Sequence, residues 1–274
     1  IIGPVYLKIK DDARIAYAVN GFYINTNKEE IIFISKENEL KKKNKNKDFI
    51  NLYKNRLSRK ESPSYKYYEK IRNQTGKCPY CNRGQDVDAL DHYLPKKFFP
   101  SFSIVINNLV PICYKCNSEC KKSFYPKSDK PEQRILHPYY DTVNFDDIIK
   151  SLKCEIIENE PIDFNFFFNN IIWDDIFFKT IKFHIKKLKL EEKYRTDFIE
   201  EFSNFLNSIK EGKNLLDSDV KKQIEYRIND SKSKDRPWNY VGFSSLYNNE
   251  WFFNTYLQLH SSIKSKIIKT INLD

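Results

Sequence analysis

"CPYCNRGQDVDALDHYLPKKFFPSFSIVINNLVPICYKCN", residues 78–117, decides how this chain is read. It carries a Cys-x-x-Cys pair at each end: Cys78 with Cys81, and Cys113 with Cys116. Equal spacing in both pairs is what two tight turns need if four thiolates are to close a tetrahedron around one zinc ion. Cysteines that merely fill an apolar core have no reason to share that spacing. Cys120 is a competing ligand, ranked below Cys113 because it breaks the symmetry of the pairs. Cys154 sits in an apolar, strand-like run and reads as a core residue. A disulfide framework is the poorer account of six cysteines in a chain of this size. Four closed ligands leave no open position, so this zinc is expected to hold a fold together and not to activate water.

Between the pairs, "LDHYLPKK" at residues 90–97 sets Asp91 beside His92. A strand is expected here, forming a hairpin with "NNLVPIC" at residues 107–113, after which Asn117 opens a helix, "NSECKKSF". With zinc pinning both turns, Asp, His and Asn side chains can meet on one face of hairpin and helix. Neighbours on a strand point to opposite faces, so a strand end, bulge or twist must bring Asp91 and His92 to one site. Plain readings stand beside the chemical ones: a surface or core histidine for His92, a helix N-cap for Asn117.

The order CxxC, Asp-His, Asn-Leu-Val, CxxC-Asn resembles the HNH endonuclease family, with its ββα-metal fold. The elements in this chain are "CPYC", "LDHYLPKKFFPSFSI" and "NNLVPICYKCN". The resemblance covers about residues 76–125, and the flanks "YYEKI", "ILHPYYD" and "PWNYVGFSSLYNNEWF" are similar to bacterial HNH proteins of comparable length. It implies that His92 is the general base that deprotonates water for attack on a phosphodiester. It makes Asn108 the residue that orients that histidine, and Asp91 and Asn117 the ligands of one catalytic divalent ion. Asn117 stands where some members have histidine, which favours a hard, oxygen-preferring ion, Mg²⁺ or Mn²⁺. Members of this kind resemble effectors of anti-phage defence, some with an ATPase partner, so a defence ATPase or sensor is the implied protein partner.

Composition fits a polyanionic substrate. Lys+Arg exceed Asp+Glu by 47 to 37, a net charge of +10, which favours nucleic acid first and an anionic membrane surface second. Lys96, Lys97, Lys121 and Lys122 flank the proposed site and are the expected phosphate contacts, without base readout. No stretch reaches the roughly 18 apolar residues of a membrane span. No charged segment followed by an apolar run opens the chain, so a cytoplasmic protein is expected. Methionine is absent, position 1 included, which places the true N-terminus in question.

The rest of the chain reads as α+β. Residues 1–70 carry β-like runs, "VYLKI" and "EEIIFIS", then a lysine run at 41–47 read as a solvated linker or helix end. Phe49, Leu52, Tyr53, Arg56 and Leu57 follow helical spacing, and a second helix begins after Pro63 and stops at Gly76. Residues 71–126 form the HNH zinc domain and 127–274 a mainly helical region. There "CEIIENEPIDFNFFF" reads as a strand pair, and four helices are expected, the last spanning "PWNYVGFSSLYNNEWFFNTYLQLH". Its many aromatics read as core, with a partner interface as the sharper alternative. His137 is a candidate phosphate contact, site support or turn residue; His184 and His260 read as structural. The functional expectation is a metal-dependent endonuclease of low sequence specificity acting on DNA. The alternative is a non-catalytic zinc module that binds nucleic acid or a protein.

Overall fold

A computed structural model describes residues 23–25, 31–33, 43–84, 86–125, 132–141, 143–211 and 216–259. The run "VYLKI" and His260 lie outside them. Two short strands, β1 (Tyr23–Asn25) and β2 (Ile31–Phe33), pair antiparallel with Tyr23 opposite Phe33. Helix α1 (Lys43–Leu52) begins inside the lysine run and widens into a π-helical turn, Tyr53–Leu57. Ser58 closes that turn by donating from its N–H to the Tyr53 carbonyl at 2.9 Å. Helix α2 (Tyr65–Arg72) stops at Asn73, short of the expected Gly76, because the Asn73 N–H makes the last helical bond, to Glu69. Tyr53, Tyr68 and Ile71 on these helices bury themselves against Leu90 and Leu109.

Leu90 and Leu109 belong to the hairpin of β3 (Ala89–His92) and β4 (Leu109–Ile112), in which Asp91 faces Val110 and His92 faces Leu109. Both strands are apolar apart from Asp91 and His92, and β4 is buried along its whole length and β3 at all but Ala89. A π-helical segment, Lys115–Lys121, begins inside the second cysteine pair and contains Cys116, so the helix starts two residues before Asn117, where it was expected to open.

Contacts divide the chain into two compact units. The first is Ile1–Val143 together with Trp173–Leu190, and the second is Asn144–Ile172 with Glu191–Asp274. The second unit opens with α3 (Phe145–Ser151) and the hairpin of β5 (Leu152–Ile157) and β6 (Asp163–Phe168), where the strand pair was expected. The chain then returns to the first unit as α4 (Asp175–Leu188), whose N-cap is Asp174. Helix α5 (Leu190–Glu211) leads back into the second unit, followed by α6 (Asp217–Ser233) and α7 (Pro237–Tyr247). The single last helix expected from sequence is interrupted: α7 ends at Asn248, and the Asn249 carboxamide caps a separate turn by accepting from the Phe252 N–H at 2.6 Å. Three separate two-stranded antiparallel sheets among helices make an α+β architecture among the described residues.

The aromatics of the second unit are largely core. Phe164 and Phe166 alternate with exposed Asn165 on β6, and Phe198, Phe202 and Phe205 repeat along one face of α5. Phe198 stands edge-on to Phe164 at 4.7 Å and to Phe243 at 5.1 Å. Gly242 on α7 makes room for it: a Cβ there would lie 2.3 Å from the Phe198 ring.

In the first unit, residues 134–141 brace the back of the β3–β4 hairpin. Asp141 holds the Arg134 guanidinium through both carboxylate oxygens and accepts from the His137 N–H at 2.7 Å. Tyr93 donates to the Ile135 carbonyl, and Tyr139 to the Leu109 carbonyl at 2.8 Å. His137, a candidate phosphate contact by sequence, is wholly buried among the Tyr93, Tyr139 and Tyr140 rings. It is a structural residue of the brace. Burial lowers its pKa to about 3, from an ordinary 6.5.

Two outcomes follow. Gly242→Ala should lower stability by about 1–3 kcal/mol through overpacking against Phe198, read as a lower melting temperature. Between pH 6.5 and about 3 the unfolded chain binds a proton at residue 137 that the folded chain refuses. Stability therefore falls as pH falls through that window, by about 1.4 kcal/mol per pH unit for each such histidine. Melting temperature should drop from pH 7 to pH 5, and drop less steeply in His137→Asn.

Candidate functional site

The two Cys-x-x-Cys turns converge. The Sγ atoms of Cys78, Cys81, Cys113 and Cys116 all lie within 4.8 Å of one another, and all four residues are buried. The first turn closes with the Asn82 N–H donating to the Cys78 carbonyl at 2.9 Å. Asn82 takes the left-handed conformation, φ 48°, that asparagine tolerates. The second closes with the Asn117 N–H on the Cys113 carbonyl at 3.0 Å. As bare thiols the four cannot ionise together. Hydrogen bonds from Cys116 first, then Cys78 and Cys81, push Cys113 down, while the contact with Cys113 pushes Cys116 up. A cation that takes all four as thiolates removes that conflict. The donor set therefore fits a metal ion. Cys120 is elsewhere, its Sγ donating to the Leu188 carbonyl at 3.6 Å, so the competition with Cys113 falls to Cys113. Cys154 lies half-buried on β5, its thiol pushed up to about 12 by burial.

Ten residues beyond Cys81, at Asp91, strand β3 presents Asp91 and His92 in opposite directions, as strand geometry requires. Asp91 accepts from the Tyr80 hydroxyl through Oδ2 at 3.0 Å; Tyr80 belongs to the first cysteine turn. Lys121 Nζ sits 3.1 Å from Asp91 Oδ1 and 3.0 Å from Oδ2, and donates to the His92 carbonyl at 3.0 Å. His92 turns its ring edge-on to Tyr53 at 4.4 Å, and its Nε2 meets the Ser103 carbonyl at 3.0 Å. A carbonyl only accepts, so Nε2 carries the proton and Nδ1 keeps its lone pair. Burial, and then the Lys96 charge, lower the His92 pKa to about 3, so the ring is neutral at pH 7. The three groups are nearly closed to solvent: Asp91 is 6% exposed, His92 5% and Lys121 1%.

Asn108 is fully buried and works on the loop between the strands. Its Oδ1 accepts from the Leu94 N–H at 2.7 Å, and its Nδ2 donates to the Leu94 and Phe102 carbonyls at 3.0 and 3.1 Å. Phe102 precedes Ser103, so Asn108 reaches His92 through the loop backbone and not by touching the ring. Asn117 is half-buried, one turn before Lys121 on the same π-helical segment. Among the lysines expected to face phosphate, Lys97 and Lys122 are exposed, and Lys96 is half-buried with Nζ 4.9 Å above the Tyr53 ring. Lys121 differs: it is buried because Asp91, buried with it, requires a counter-charge.

Two residues that sequence reasoning did not assign to the site complete it. Tyr80 couples the cysteine turn to Asp91, and His184 on α4 couples that turn to the brace. His184 Nε2 meets the Tyr80 carbonyl at 2.9 Å, and its Nδ1 accepts from the Leu136 N–H at 3.1 Å. The Tyr between two paired cysteines was visible; its hydroxyl's partner was not.

A divalent ion at Asp91 meets a carboxylate whose two oxygens are already engaged with Lys121 and Tyr80. The residues as folded do not fit that ion. Among the described residues, no group of three or more His, Cys, Asp or Glu side chains other than the four cysteines is placed to hold a metal. No helix among them is long and apolar enough to cross a membrane. No family model matches the chain, and no solved structure matches it. It is 35% identical over 91 residues to Protein ea31 of Escherichia phage lambda, an alignment spanning 33% of this chain and 30% of that protein.

Proposed function

We propose that the chain is an HNH-type endonuclease that hydrolyses phosphodiester bonds of DNA, built on a ββα unit with a structural zinc ion at Cys78, Cys81, Cys113 and Cys116. The observation that carries the reading is the fixed tautomer of His92. With Nε2–H held on the Ser103 carbonyl, Nδ1 is the basic nitrogen, and it is neutral at working pH. Nδ1 takes the proton from water as the water oxygen bonds to phosphorus. The bond from phosphorus to the leaving oxygen breaks, and that oxygen departs with its electron pair and is protonated from solvent. Asn108 holds the loop that holds His92. Lys96, Lys97 and Lys122 supply positive charge for the backbone without reading bases. The resemblance assigns a Mg²⁺ or Mn²⁺ ion to Asp91 and Asn117, but with Lys121 and Tyr80 on the Asp91 carboxylate the folded residues do not fit it, and no step is routed through a metal. A defence ATPase or sensor as partner belongs to the same reading.

The burial of His92, at 5% exposure, favours the second reading, a zinc module that binds DNA or a protein without cutting. The two separate in one assay. Supercoiled plasmid with Mg²⁺ or Mn²⁺ should be nicked or linearised by the wild type, and about 10²–10⁴-fold more slowly by His92→Ala. Equal cleavage by both would sink the catalytic assignment; salt-dependent binding with no cleavage under any metal would establish the module. Elemental analysis should find about one zinc per chain, lost in Cys116→Ser together with the folded signal of the first unit. A folded protein without zinc would remove the frame for either reading.

A further inference from the structure

The ammonium of Lys121 occupies the position at Asp91 that a bidentate metal ion would take. It bridges both carboxylate oxygens, at 3.1 and 3.0 Å, and spends a further proton on the His92 carbonyl. Both side chains are buried, so each is the other's counter-charge in a medium where an unpaired ion is costly. Tyr80 fills a remaining site on Oδ2. A Mg²⁺ or Mn²⁺ ion entering beside Lys121 would bring three positive charges to one carboxylate. The mismatch is one of charge as well as space, and Asn117 offers no charge to offset it.

We propose that Lys121 is the resident cation of Asp91 and keeps a divalent ion off this carboxylate. The proposal rests on the nuclease reading for the identity of the incoming ion, but it concerns binding and is tested without cleavage. Charge at Asp91 is thereby neutral in the resting protein. Lys121 becomes available to a phosphate only when it leaves the carboxylate.

The experiment is Mn²⁺ binding by the full-length, zinc-loaded protein, followed by the loss of the free-ion electron paramagnetic resonance signal. Wild type and Asp91→Asn should bind Mn²⁺ alike, since Asp91 is not on offer. Lys121→Met should bind about tenfold more tightly than wild type. The gain should vanish in the Asp91→Asn, Lys121→Met double variant. Lys121→Arg, which keeps the charge, should behave as wild type. Thermal unfolding gives a second reading: Mn²⁺ should raise the melting temperature of Lys121→Met and leave that of the wild type unchanged. Wild-type binding that Asp91→Asn abolishes overturns the proposal, as does a Lys121→Met protein with unchanged affinity. Should Lys121→Met not fold, the comparison of wild type with Asp91→Asn decides alone. Failure of plasmid cleavage leaves this result standing, and success of cleavage does not rescue it.

Discussion

Four sulfur atoms within 4.8 Å of each other set the constraint from which the candidate site follows. Each pair closes its own turn, and between the two turns the chain runs out and back as β3 and β4. Bringing the turns together fixes the hairpin register, and the register places Asp91 opposite Val110 and His92 opposite Leu109. Tyr80, one of the two residues between the first two cysteines, then lies where its hydroxyl reaches Asp91, and the π-helical segment that starts inside the second pair delivers Lys121 to the same carboxylate. The thiol cluster and the polar cluster are two ends of one packed element. Neither is an ornament on a scaffold built elsewhere.

The polar cluster is closed on itself. Asp91 and Lys121 neutralise each other, His92 is neutral, and Asn108 uses both its oxygen and its nitrogen on backbone groups. Such a network resists rearrangement, because each broken bond strands a buried partner. It gives the site a rigid resting form. Opening it for a substrate or an ion means replacing bonds, not filling a gap.

Much of this was legible in the sequence. The spacing of the cysteines named the four thiols that come together, the Asp-His step and "NNLVPIC" named the hairpin, and "CEIIENEPIDFNFFF" named a strand pair. What escaped was decided by distant partners. Lys121 reads as a surface cation until a buried carboxylate from another element is found beside it. His184 reads as one more residue of a helix face until Tyr80 and Leu136 accept and donate at its two nitrogens. His137 sits near a proline turn, and only the tyrosines around it show that no phosphate reaches it. The helix ends at Asn73 and Asn248 went astray for a local reason: each closes through its own backbone N–H, and Asn249 then takes the Phe252 N–H with its side chain, a stop that is hard to rank against glycine or a continuing apolar pattern.

The division of the chain into units has a consequence for its synthesis. The first unit is discontinuous: Asn144–Ile172 goes to the second, and Trp173–Leu190 comes back. Helix α4, whose His184 holds the Tyr80 carbonyl, therefore leaves the ribosome long after the cysteine turns have emerged. In that interval the turns have all four cysteines but lack the imidazole that fastens Tyr80. A fragment ending before Trp173 would carry every cysteine of the cluster and still be an incomplete domain, so trimming the chain to its motif removes a wall of the site along with the helices.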